Sequence, residues 1–147
     1  MGKQIIGYIT LYFMSMLPWL EQKAGVVAVA SGMGAYEAFI IEILAILTVV
    51  PLLIKFSAAL IEALKKIEKI EKPLKNFEEK ALESKKKFEN YEILGLFFIV
   101  IVPATGTWAA SFVASFLKLN PKKSMIAISL GAICVAFVYI FGTEIII

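Results

Sequence analysis

Glu21, Lys23 and Glu42 are charged residues set among long apolar runs, and they are the side chains of this sequence best placed to do chemistry. A charge carried to membrane depth is costly and is a functional candidate by default. A carboxylate there can exchange a proton; an ammonium there can hold an anionic head group. Glu21 and Lys23 fall in a break between two apolar runs and are spaced to pair, which lowers the cost of both. The alternative is a watery interface beside Trp19. Glu42 lies about one turn inside a long apolar run, as either a proton or cation carrier or a residue snorkelling to head-group level. A second break, Pro103-Ala-Thr-Gly-Thr-Trp108, has no ionisable group. Pro103 removes a backbone donor, Gly106 permits a tight turn, and Thr105 and Thr107 add hydroxyls. Helix ends at such a break leave peptide groups unpaired and suit an anionic or polar ligand. The competing reading is a packed kink whose threonines satisfy their own backbone. Trp108 is read first as a packing or interface residue and second as a ligand contact.

The missing residue types are equally informative. The 147 residues contain no His, Asp or Arg: all 15 basic residues are Lys and all 12 acidic residues are Glu. Ser-His-Asp, Cys-His and HExxH chemistry is therefore closed to the chain. So is a metal site built from His and Cys. The single Cys134 cannot form an internal disulfide. Neither a phosphate-binding P-loop nor a dinucleotide fingerprint is present. The expectation is a protein that is not an enzyme, with no catalytic residue, metal or cofactor. Hydrophobic residues make up 60% of the chain and charged ones 18%, against about half and about a quarter in a soluble domain. This is the composition of a membrane protein. The Lys and Glu bias matches thermophile usage.

Charge is concentrated in one place. Residues 62–92 hold nine Lys and eight Glu, so two apolar blocks flank one charged connector. Each block reads as short apolar run, break, short apolar run, turn, long apolar run. Pro18 to Ala38 spans 20 residues and Pro103 to Ser124 spans 21, a repeat in spacing rather than identity. The opening run, Ile5–Leu20, is read as retained rather than as a signal peptide, because Glu-Gln-Lys follows it instead of small residues. Ile93–Leu117 is 25 uncharged residues. It is either one crossing kinked at Pro103 or two half-helices of about 11 residues, each about 16 Å long and half a hydrocarbon core. Lysine placement favours the hairpin. With it, Lys55, the connector lysines and Lys118, Lys122 and Lys123 share one face, thirteen of the 15, as cytoplasmic loops do.

The expected fold is an all-α integral membrane protein of two inverted repeats. Repeat one is 1–60, with a re-entrant hairpin at 5–34 and a transmembrane helix at 37–60. A cytoplasmic amphipathic connector occupies 61–91. Repeat two is 92–147, with a hairpin at 92–118 and a transmembrane helix at 122–143. The chain is expected to be multi-pass in the cell membrane with both termini outside. Ile67, Ile70, Leu74, Phe77, Ala81 and Phe88 give the connector one apolar face, broken or restarted at Pro73. That face serves an interfacial or self-packed hairpin, or else a coiled-coil contact. Nucleic acid is not an expected partner, because Glu nearly balances Lys. Small residues recurring every four positions, such as Thr107, Ser111 and Ser115, suit close helix packing.

At these residues the chain resembles the small multidrug export family. Ser15–Phe39 is similar to that family's first conserved region, with Glu21 on its acid and Lys23 on its Arg; Ala24 and Val27 depart from its Gly and Pro. Leu94–Gly131 is similar to the second, whose core is Pro-x-Pro-Gly-Thr-Gly-Ala-Trp. Pro103, Thr105, Gly106 and Trp108 match, and Ile101, Ala104 and Thr107 depart. The resemblance implies export of small amphipathic compounds. The plan is also similar to that of DedA-type proteins, which implies a lipid or polyprenyl-phosphate flippase as the alternative; a non-transporting scaffold that recruits a partner through its connector is the third. The expected partners are membrane lipids, a small-molecule or lipid substrate and further copies of the chain. The expected transport or ligand site is Glu21, Lys23, Glu42, Pro103, Thr105, Gly106, Thr107 and Trp108, with proton coupling through Glu21 or Glu42.

Overall fold

The computed structural model describes residues 1–88, 91–102 and 105–146, the side chains of residues 84 and 86–88 excepted. Within them lie seven helices and no strand: α1 Gly2–Met14, α2 Lys23–Ala30, α3 Ala35–Lys65, α4 Glu68–Phe88, α5 Glu92–Ile101, α6 Gly106–Phe116 and α7 Pro121–Ile146. Two short helices and a long one therefore occur on each side of α4.

The two long helices form the frame. α3 has 31 residues and α7 has 26, roughly 46 and 39 Å at 1.5 Å per residue. Both are long and apolar enough to cross a membrane. They pack against each other and run antiparallel: Tyr36 meets Phe141 at one end, and Ile54 and Ser124 share a cleft towards the other. Between them lies a core of small and branched residues, among them Ala45, Val50, Ala127, Ile128, Ala132 and Ala136. The outward surface is apolar too. Ile40, Leu44, Leu47, Leu94, Phe98, Ile126 and Leu130 are exposed, which suits lipid rather than water around the bundle.

α3 continues past residue 60 to Lys65 because Ser57 and Ile61 still face the core. α4 differs from the expected break at Pro73. The chain breaks earlier, at Lys66-Ile67, and Pro73 lies inside a continuous helix. Near a helix start its missing N–H costs one backbone bond, and the bereft carbonyl belongs to Lys69, on an exposed face.

The short helices fold into pairs. α1 packs on α2 and α5 packs on α6. Gly7 of α1 approaches Met33, just past α2, and the Tyr8 hydroxyl donates to Glu37 at 3.0 Å. The start of α1 and the end of α2 therefore lie together. In the second pair, Tyr91, Glu92, Leu117 and Leu119 line one groove, and Lys85 Nζ donates to the Lys118 carbonyl at 3.0 Å. The α5–α6 unit thus leaves and returns to the same end of the bundle.

Both pairs end in the same turn. The Met33 N–H bonds the Ala28 carbonyl, and the Leu119 N–H bonds the Ala114 carbonyl. Gly32 (φ 96°) and Lys118 (φ 51°) hold the left-handed position between, which makes each a Schellman cap. Each cap lies three residues ahead of its long helix. Small residues seat α6: Thr107, Ala110, Ser111 and Ala114 are buried, and the Ser115 hydroxyl donates to the Ile54 carbonyl at 3.0 Å. Cys134 is free and exposed.

Candidate functional site

The first break is a turn over residues 15–22. α1 stops ahead of Pro18, which disfavours helical backbone at Leu17. Trp19 and Glu21 take left-handed backbone, φ 71° and 29°. Such a conformation costs a residue with a Cβ about 1–2 kcal/mol. The turn therefore has to be held from outside, and the second break holds it. Glu21 Oε2 accepts the Thr107 N–H at 3.2 Å. The Thr107 hydroxyl and the Trp108 N–H also face this carboxylate. The Trp108 indole N–H donates to the Met16 carbonyl at 3.3 Å.

Glu21 thus sits at the N-terminal end of α6, where backbone N–H groups and the helix dipole favour an anion. Gly106, φ 64°, makes the approach possible. A Cβ there would lie 2.5 Å from Glu21 Oε2 and 2.8 Å from Oε1. A cavity of about 50 Å³ opens beside this junction, lined by Trp19, Glu21, Lys23, Thr105, Gly106 and Tyr139 among others. That is room for a water or two.

Glu21, Lys23, Gly106, Thr107 and Trp108 are therefore brought together at the meeting of the two breaks. The expected Glu21–Lys23 pair does not form, and among the described residues Lys23 makes no ion pair. Glu21 turns to Thr107 instead and leaves Lys23 exposed. Thr105 takes the role of the packed-kink reading: its hydroxyl bonds the Ile99 carbonyl in the last turn of α5 and the Val102 carbonyl, which also accepts the Thr105 N–H at 3.1 Å. Pro103 lies outside the described residues.

Glu42 does not join this junction; it is held by the backbone of α2. Its side chain is 0% exposed, so it does not snorkel. Oε1 accepts the Gly25 N–H at 2.7 Å, Ser15 stands beside the carboxylate, and Oε2 has no partner among the described residues. An isolated buried charge costs several kcal/mol, and the neutral acid avoids that cost. A larger residue at Gly25 would force Glu42 or Ile140 to move. A Cβ would lie 2.6 Å from Glu42 Oε1 and 2.7 Å from Ile140 Cδ1.

Sequence reasoning missed Gly25, Ser15 and the buried Gln22. The available signal was a lone glycine inside a helical apolar run, which marks close approach. Glu78 was missed as well. It bridges Lys65 at 3.1 Å and Lys118 at 2.8 Å, tying α4 to the ends of α3 and α6. Nothing separates it by sequence from the six other acids of the connector.

Residues 21–138 match the family described as "putative small multi-drug export protein". The chain belongs to that family. The matched stretch covers the great majority of the chain and both breaks, from Glu21 through the second long helix as far as Val138. No curated protein and no solved structure matches it. Family membership and the two long apolar helices make this a membrane protein of an export family.

Proposed function

We propose that the chain exports small amphipathic compounds through a route controlled where the two breaks meet. α1–α2 and α5–α6 act as re-entrant hairpins, and the two halves form an inverted repeat. The return of α5–α6 to its starting end, the antiparallel long helices and the matching Schellman caps support this arrangement. The lysine-rich α4 side is cytoplasmic and the termini are outside, by the positive-inside rule. Further copies of the chain complete the wall of the route, since one 16.2 kDa chain offers little.

The observation that carries the reading is the Glu21 carboxylate on the Thr107 N–H. It is a charge-assisted bond between segments 86 residues apart, and its strength depends on the proton occupancy of one acid. Protonation weakens the acceptor and loosens the two tips from each other. The ionised form closes them again. Glu42, buried with one oxygen unpartnered, is the second proton-exchanging group of the cycle.

Proteoliposome export of a fluorescent amphipathic dye tests this. The wild-type chain should respond to an imposed pH gradient, and Glu21→Gln and Glu42→Gln should each lose that response. Export indifferent to the gradient in all three proteins would reject proton coupling. No export by any of them would reject the transport reading itself.

A further inference from the structure

α4 buries an acid against the bundle and leaves apolar side chains uncovered. Glu78, 8% exposed, stands between Lys65 at the end of α3 and Lys118 at the end of α6. Phe77 beside it is 66% exposed, and Ile67 and Ile70 stay exposed as well. In water the reverse is the rule. Ile70, Leu74, Phe77 and Ala81 recur at three and four residues and form one stripe along the helix. Leu74 and Ala81, on the edge of the stripe nearer Glu78, are half-buried; Ile70 and Phe77 form the open edge. The exposed Lys69, Lys72, Lys75, Glu79 and Glu83 lie on the other side of the helix.

The surface that the open edge continues identifies its cover. The Phe77 ring lies 5.5 Å from that of Phe116, and Phe116 stacks on Phe112 at 6.2 Å. Phe112 is exposed on the flank of α6, so a row of rings passes from the outside of the bundle onto α4. On α3, Leu52, Phe56 and Leu60 are exposed one turn apart, and this row runs down to the lysines that end the helix. The lipid-facing surface of the bundle therefore does not stop at Lys65 and Phe116; it turns onto α4. Lys118, Lys122 and Lys123 are exposed at the same end, the level at which ammonium groups reach lipid head groups.

We propose that α4 lies flat in the head-group layer of the bilayer, with Ile70 and Phe77 dipping into the acyl boundary and the charged side in water. Interfacial helices of this kind bury their apolar face about 5–10 Å deep. Lys and Glu nearly balance along α4, so the apolar stripe holds the helix and neutral lipid is enough. Glu78 has the complementary task. Its pairs with Lys65 and Lys118 fix the rotation of α4, so that the stripe faces lipid rather than water or a second copy of the helix.

Bimane attached to single cysteines of the full chain, in a Cys134→Ser background and in phosphatidylcholine liposomes, reads this directly. At Ile70→Cys and Phe77→Cys its emission should shift to the blue relative to Lys72→Cys. It should be quenched there by phosphatidylcholine carrying a doxyl group high on the acyl chain, and not by aqueous iodide. Lys72→Cys should show the reverse, and neither pattern should change with salt. Ile70→Cys leaves the ring contact between Phe77 and Phe116 in place, and it is read alone if Phe77→Cys lowers the melting temperature. Quenching by iodide at all three positions would overturn the proposal in favour of a helix standing in water. Shielding of 70 and 77 from both quenchers, with disulfide formation between two Ile70→Cys copies, would overturn it in favour of a second copy of the chain. Loss of the doxyl quenching in high salt would overturn it in favour of attraction by charge.

Discussion

Gly106→Ala is the sharpest perturbation of the junction between the two tips. The glycine has φ 64°, a backbone that costs alanine about 1–2 kcal/mol. The new Cβ would also stand 2.5 Å from Glu21 Oε2. A carboxylate at the end of a flexible side chain can retreat, but only by giving up the Thr107 N–H. A hydrogen bond to a charged group contributes about 1.5–3 kcal/mol. The expected loss is therefore about 2.5–5 kcal/mol. It should register as a lower melting temperature in detergent and as weaker disulfide trapping between Leu20→Cys and Thr105→Cys in a Cys134→Ser background. Glu21→Ala in the same chain removes the clash and the bond together. The double variant should then lose less than the two single losses added, by about 1.5–3 kcal/mol, because the same bond is lost only once. Additive losses, or a Gly106→Ala protein as stable as wild type, would refute the contact between the tips.

The remaining expectations concern other parts of the bundle. Gly25→Ala places a Cβ 2.6 Å from Glu42 Oε1 and should destabilise by about 1–3 kcal/mol through the lost Gly25 N–H bond. Glu42→Gln keeps an acceptor there and should melt close to wild type; a collapse of Glu42→Gln would show that the acid form itself holds the fold. Pairing with Lys118, and then with Lys65, holds the Glu78 carboxyl below its usual 4.5. A lowered value in the folded state means stability present above pH 4.5 and lost as pH falls through that lower value, by about 1–2 kcal/mol for a bridge between buried and exposed in character. Protection of α4 amides from hydrogen exchange, corrected for the intrinsic rate at each pH, should therefore fall in acid, and Glu78→Gln should show the lower protection already at pH 7; acid-insensitive protection in wild type would rule the bridge out. Single cysteines at 80 and 120 should label from one side of the membrane and those at 3 and 35 from the other, and labelling of 120 opposite 80 would end the re-entrant reading of α5–α6.

Much of this protein is legible from local rules. A chain without His, Asp or Arg, with its charge gathered between two apolar blocks, announces helices, a membrane and one polar connector, because period and composition act over a few neighbouring residues. Pro18, the break at 103–107 and the Gly32 turn mark where helices stop for the same reason. Only the tertiary structure decides which groups meet. Glu21 is two residues from Lys23 in sequence yet bonds Thr107, 86 residues away, because a helix N-terminus offers it fixed N–H donors that a flexible lysine does not. By position Glu42 is either a proton or cation carrier or a head-group residue, and burial against Gly25 makes it an interior acid. Glu78 is one acid among many until α4 folds back onto Lys65 and Lys118. Periodicity reports which face of a helix is apolar; which neighbour covers that face depends on contacts between distant segments, and those exist only once the chain has packed.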